Sequence, residues 1–160
     1  MKLMKKTVRH FEMKIAEGLP LIFTDPSALE QVLVNLLINA AQAVDCEDES
    51  WVMLSANLGN TQRNYLIIEV SDNGCGMDKK TMEKIFDPFF TTKKVGDGTG
   101  MGLAVIHGIV ENHKGLIEVE STLGKGTTFR VFLPVIETNI PEQKKTEPIM
   151  LPKGHERILL

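Results

Sequence analysis

Two cysteines among 160 residues, Cys46 and Cys75, are too few for a disulfide framework. No histidine or cysteine stands at zinc-ligand spacing, which excludes a structural zinc module. A basic excess is missing as well. The net charge of -3 and the pI near 5.8 leave no positive stripe for nucleic acid. No apolar run approaches the roughly 20 residues that span a bilayer, and no signal-peptide core follows the basic start. A cytoplasmic chain without nucleic-acid or membrane contact is the expectation.

What is present is ordinary globular composition, 42% hydrophobic and 24% charged with both signs mixed. A chain of this length makes one domain that buries about two-thirds of its unfolded surface. Residues 7–15 read as extended. Thr24-Asp25-Pro26 is a helix start, with Asp25 as N-cap and Pro26 in the first turn. From there Leu29, Val32, Leu33, Leu36, Ala40, Ala43 and Val44 recur on one face of a helix that runs to about Val44. Strands follow near 51–58 and 65–71, and a short helix is expected around 78–85. A second helix begins near Gly102 and stops before Gly115, which suits a C-terminal cap. Strands at 116–121 and 127–134 flank the turn Gly124-Lys125-Gly126. The order predicts an α+β fold, a mixed sheet with helices on one face. Residues 74–100, rich in glycine and proline, form a long connection of the kind that serves as a lid.

Three groups of residues carry chemistry. Asn35 and Asn39 lie one helical turn apart, and Gln31 and Gln42 extend the same polar stripe. Carboxamide oxygens are hard neutral ligands suited to magnesium, although a solvated helix face looks the same. Asp72 leaves an apolar strand and enters the turn Asn73-Gly74-Cys75-Gly76. Its carboxylate can accept from an adenine amino group, and an ordinary Asp-Asn-Gly turn is the alternative. Gly98-Thr99-Gly100-Met101-Gly102 runs into Leu103-Ala104-Val105-Ile106, so freed backbone amides open a helix and can receive phosphate. A glycine hinge would also fit. The loop is neither a Walker nor a Rossmann fingerprint. Lys93 and Lys94 are upstream to neutralise charge, and Phe86, Phe89 and Phe90 are expected to anchor the loop in the core. Cys75 reads as a free reduced thiol, and His10, His107 and His113 as structural or solvent-facing.

In this order the motifs resemble the catalytic ATP-binding domain of sensor histidine kinases, relatives of gyrase B, MutL and the Hsp-type chaperone ATPases. The segments are LEQVLVNLLINAAQAV, SDNGCGMD, IFDPFF, GTGMGLAV and GKGTTF, and the resemblance covers roughly residues 7–136. It implies a two-layer α/β sandwich of the Bergerat type, with ATP and Mg2+ as cofactors. By the resemblance Asn39 is the metal ligand and Asn35 helps position phosphates and metal. Asp72 reads adenine, with Gly74, Gly76 and Met77 of its motif and Thr127 completing that end. Gly98, Thr99, Gly100, Met101, Gly102 and Leu103 contact the triphosphate. Gln42 stands where many members carry a basic residue, which leaves phosphate neutralisation to Lys93 or Lys94.

In the hydrolytic gyrase and MutL branches a glutamate four residues before the metal-binding asparagine activates water. Here that position is Asn35, which cannot be a general base. The resemblance therefore implies phosphoryl transfer to a histidine. His10-Phe11-Glu12-Met13-Lys14 does not fit the acceptor pattern, so the acceptor and dimerisation domain is expected upstream in a parent protein. The isolated domain is expected to be monomeric and the parent homodimeric. Residues 1–136 are then the catalytic domain and 137–154 a linker. Residues 155–160 resemble the approach to the first strand of a response-regulator receiver domain, which suggests a hybrid kinase. An ATP-hydrolysing clamp and an inactive nucleotide-binding module are the other readings.

Overall fold

The computed structural model describes residues 8–44, 49–60, 64–93 and 99–136. Expectations that fall on Cys46, Lys94 and Gly98, and on the linker and receiver segments after residue 136, lie outside these residues.

The elements are β1 (His10–Ile15), α1 (Pro26–Ala43), β2 (Trp51–Asn60), β3 (Asn64–Asp72), α2 (Lys79–Met82), α3 (Gly102–Asn112), β4 (Leu116–Thr122) and β5 (Gly126–Pro134). The five strands form one sheet in the order β1-β2-β3-β5-β4. The β1–β2 pair is parallel and every other pair antiparallel. This is the expected α+β arrangement.

Period-2 alternation decides which face is covered. Leu66, Ile68 and Val70 of β3 and Phe129, Val131 and Leu133 of β5 point at the helices and are buried. Val32, Leu36 and Ala40 of α1 and Ile106 and Val110 of α3 complete that core. Leu36 and Ile106 are fully enclosed. The opposite sheet face is half solvated, as antiparallel sheets allow. There Arg130 on β5 bonds Glu69 at 2.6 Å and Glu120 at 2.9 Å, so it ties the central strand β3 to the edge strand β4. Tyr65 and Phe132 meet edge to face nearby, ring centroids 6.3 Å apart.

Helix α1 starts as its sequence dictates. The Asp25 carboxylate accepts from the Ser27 N–H at 2.9 Å, and Pro26 occupies the first turn, where its missing N–H costs nothing. The end of α3 differs from expectation. Lys114, not Gly115, takes the left-handed conformation, with φ 55. The Lys114 N–H bonds Glu111 O at 2.8 Å and the Gly115 N–H bonds Val110 O at 2.9 Å, the paired closure of a Schellman motif. Gly115 is needed for space, because a Cβ there would sit 2.5 Å from Phe132 O.

The aromatic anchoring is also partly different. Phe86 and Phe90 pack against the core, but Phe89 is 74% exposed.

Candidate functional site

A cavity of about 480 Å³ opens between α1, the ends of β3 and β5, and the approach to α3. Small-molecule sites run roughly 300–1,000 Å³, so the space suits a nucleotide-sized ligand. It takes in residues from every motif of the sequence reading.

The buried end is built by β3 and β5. Asp72 and Thr127 are register partners where β3 ends and β5 begins, and both are 6% exposed. Burial pushes the Asp72 carboxyl above the ordinary value, while backbone N–H groups of Gly74 and Thr127 pull it down. The Gly74 bond measures 2.8 Å. An ionised carboxylate held by two backbone donors is a fixed acceptor. Met77, Ile85, Phe90 and Phe129 supply apolar walls around it.

Glycines of the same turn serve packing as well as access. A Cβ at Gly74 would collide with Ala43 O of α1, and one at Gly76 with Thr122 O of β4. The turn is thus wedged between helix and sheet, with Cys75 N–H bonded to Ala43 O at 3.1 Å and Gly124 N–H to Cys75 O at 2.7 Å. Gly76 and Met77 line the cavity, whereas Gly74 stands behind it.

The second end is polar. Asn35, Asn39 and Gln42 line it from α1. The Lys93 ammonium donates to Asn39 Oδ1 at 3.3 Å and closely to Gln42 Oε1. Partial burial lowers the Lys93 pKa. Gly102, the first residue of α3, faces the Asn35 carboxamide, and a Cβ added there would be in ordinary contact with Asn35 Cγ at 4.0 Å. No side chain caps α3, which leaves N–H groups of its first turn available to an anion. Thr99, Gly100 and Leu103 also line the cavity, and Met101 does not.

Several lining residues had no signal in the sequence reading. Ile38, Thr81, Thr91 and Thr92 join the site only through tertiary packing. Cys75 lines it with an exposed free thiol. The histidines of α3 stay outside. His107 packs on Phe86 at 5.1 Å and pairs with Glu111 at 3.5 Å. His113 Nδ1 bonds Ile109 O at 2.8 Å, and its Nε2 accepts from the Asp25 N–H at 3.4 Å.

The donor set fits magnesium bound together with phosphate. Among the described residues no cluster of three His, Cys, Asp or Glu side chains could hold a metal. Neutral amide oxygens of Asn39 and Asn35 suit an ion that keeps waters and shares phosphate oxygens.

Residues 24–137, more than half of the chain, match the family described as Histidine kinase-, DNA gyrase B-, and HSP90-like ATPase. The chain is similar to sensor kinase CckA of Brucella abortus, 39% identical over 139 residues that cover 79% of this chain and 15% of that protein. It is 45% identical over 120 residues to sensor histidine kinase ZraS of Salmonella typhimurium, covering 75% of this chain and 24% of ZraS. The chain thus spans a quarter or less of the length of these relatives. Among solved structures, the catalytic domain of histidine kinase ThkA superposes with TM-score 0.65 at 28% identity, covering 79% of this chain and 78% of that one. Full-length ShkA, solved in complex with AMPPNP, superposes with TM-score 0.67 at 27% identity over 79% of this chain and 25% of its own. The chain belongs to the histidine kinase-, DNA gyrase B- and HSP90-like ATPase family, as a catalytic ATP-binding domain of the sensor histidine kinase type.

Proposed function

We propose that this domain holds Mg-ATP and passes its γ-phosphoryl group to a histidine on a separate acceptor and dimerisation domain of the parent protein. One observation carries the reading. Among the described residues lining the cavity, the single carboxylate is Asp72, and backbone N–H groups of Gly74 and Thr127 hold it at the buried end. Beside the first residue of α3 stands the Asn35 amide, which cannot take a proton from water. The polar end can therefore position phosphates without activating water, which is what transfer to a protein acceptor requires.

Each residue has an assigned task. Asp72 accepts from the adenine amino group, and Thr127 completes that contact. Gly76 and Met77 border the base, with Gly74 fixing the turn from behind. Asn39 ligates the metal, and Asn35 orients metal and phosphates. Thr99, Gly100, Gly102 and Leu103, together with Gly98 of the same motif, receive the triphosphate at the α3 N-terminus, while Met101 stands outside the cavity. Lys93, with Gln42 beside it, neutralises phosphate charge. Magnesium, when bound, screens the phosphate charges and aligns the transferred group. That full-length ShkA was solved in complex with AMPPNP supports nucleotide binding by a domain of this fold.

In the wider protein, residues 1–136 act as the catalytic domain, 137–154 as linker, and the segment after 154 leads toward a receiver domain. The parent is read as a cytoplasmic or membrane-anchored homodimer with this domain in the cytoplasm. Among the described residues no helix is long and apolar enough to cross a membrane. The test combines the 160-residue chain with the parent's acceptor helices, ATP and Mg2+. Acid-labile phosphate on the acceptor supports the proposal. ATP binding without transfer supports an inactive nucleotide-binding module.

A further inference from the structure

Ser121, on β4, has no part in the roles above, yet its hydroxyl makes three contacts at the buried end of the cavity. It accepts from the Met77 N–H at 2.8 Å, it reaches Gly126 O at 3.0 Å, and it meets Thr127 Oγ1 at 2.9 Å. A carbonyl oxygen only accepts, so the one Ser121 proton goes to Gly126. The two lone pairs of Ser121 then take the Met77 N–H and, at the third contact, the Thr127 proton. Thr127 is thereby turned so that its proton points into the protein. What its hydroxyl has left for the cavity is lone pairs. Its register partner Asp72 offers acceptors too.

From this geometry we infer that Ser121 is a positioning residue for base selection. By consuming the Thr127 proton, it makes the Asp72–Thr127 end of the cavity acceptor-only. Such an end matches an exocyclic amino group, which carries two hydrogens, and opposes a ring carbonyl in the same place. The inference rests on the assignment of this end to adenine.

The test uses the full 160-residue chain and compares dissociation constants for ATP and for inosine 5′-triphosphate, which has a carbonyl in place of the 6-amino group. Ser121→Ala frees the Thr127 hydroxyl to rotate. The freed hydroxyl can then donate to a carbonyl, so the preference for ATP over the 6-oxo nucleotide should fall about three- to tenfold, the scale of one neutral hydrogen bond. Ser121→Thr, which keeps the hydroxyl, should retain the preference. A purely structural role would weaken both nucleotides equally, so an unchanged ratio in Ser121→Ala overturns the inference. An equal fall of the ratio in Ser121→Thr overturns it as well. Asp72→Asn separates the two levels: if that variant keeps the wild-type ratio, the adenine assignment itself fails. Thermal unfolding of each variant is recorded alongside. Should Ser121→Ala not fold, Ser121→Cys, with a far weaker acceptor of similar size, must lose the preference in its place.

Discussion

The backbone N–H of Phe89 donates to the carbonyl of Gly100 at 3.0 Å, and both residues hold a left-handed backbone, each at φ 67. Phe89 is the third residue of a turn closed by the Phe90 N–H on Asp87 O at 3.2 Å, with Pro88 before it. Proline followed by positive φ is the pattern of a type II turn, in which glycine is usual at the third place. The bond fastens this turn to the approach of α3, and so sets where the α3 N-terminus meets the cavity.

Gly100→Ala should therefore disturb both fold and site. The new Cβ would lie 2.5 Å from the Phe89 carbonyl carbon on a backbone that disfavours any side chain. A loss of about 1–3 kcal/mol in urea unfolding is expected, with weaker ATP binding. Phe89→Gly keeps the bond and removes left-handed strain, so it should leave stability unchanged or raise it by about 1 kcal/mol.

Asp72→Asn should weaken ATP binding by roughly 1.5–3 kcal/mol, the scale of a bond to a charged group, when measured by calorimetric titration. GTP should bind to the variant less unfavourably relative to ATP. Affinity for ATP equal to that of the wild type would count against an adenine contact at this carboxylate.

Acidity gives an independent reading of the same group. Burial raises the folded-state pKa of Asp72 above 3.8. The folded chain then holds this proton more tightly than the unfolded chain, so the contribution of Asp72 to stability is full below 3.8 and is lost as pH rises through the folded value. Nucleotide binding, which needs the ionised form, should have the opposite slope and fall on acidification. Asp78 and Glu120, whose carboxyl pKa values are lowered by hydrogen bonds to Thr81 and Arg130, also titrate here. The two slopes of Asp72, in ATP affinity and urea stability, should therefore be read as the difference between wild type and Asp72→Asn across pH 3–7 (about the carboxylate range).

Much of this was legible in the sequence because it depends on local chemistry. The Asp25-Pro26 start of α1, the helical spacing of Val32, Leu36 and Ala40, and the alternation in β3 and β5 each lie within one element. Long-range relations were not. Lys93 reaches Asn39 and Gln42 across more than fifty residues of chain. Phe89 belongs to an expected lid anchored by its phenylalanines, but its left-handed backbone comes with a bond to the carbonyl of distant Gly100. Gly115 suits a C-terminal cap by its place in the sequence. Its actual constraint is the nearness of Phe132 O on another strand, and Lys114 takes the left-handed turn.

Asn39 and Lys93 share a bond in the structure but have different assigned roles, and two variants separate them. Asn39→Ala should raise the Mg2+ concentration needed for half-maximal transfer, with little change in the unfolding midpoint. Lys93→Met should weaken ATP binding with or without Mg2+, because it removes phosphate neutralisation and no metal ligand. A shift in Mg2+ requirement confined to Lys93→Met would reverse these assignments.

The most direct test follows the fate of the γ-phosphate. ATP labelled at that position is incubated with Mg2+, the chain and its acceptor helices, and free phosphate and phosphohistidine are counted together. With Asn35 in place of a base, the label should appear on histidine, with negligible release of free phosphate from the chain alone. Release on the order of one per second or faster, without labelled acceptor, would be ordinary enzymatic turnover and would contradict the account.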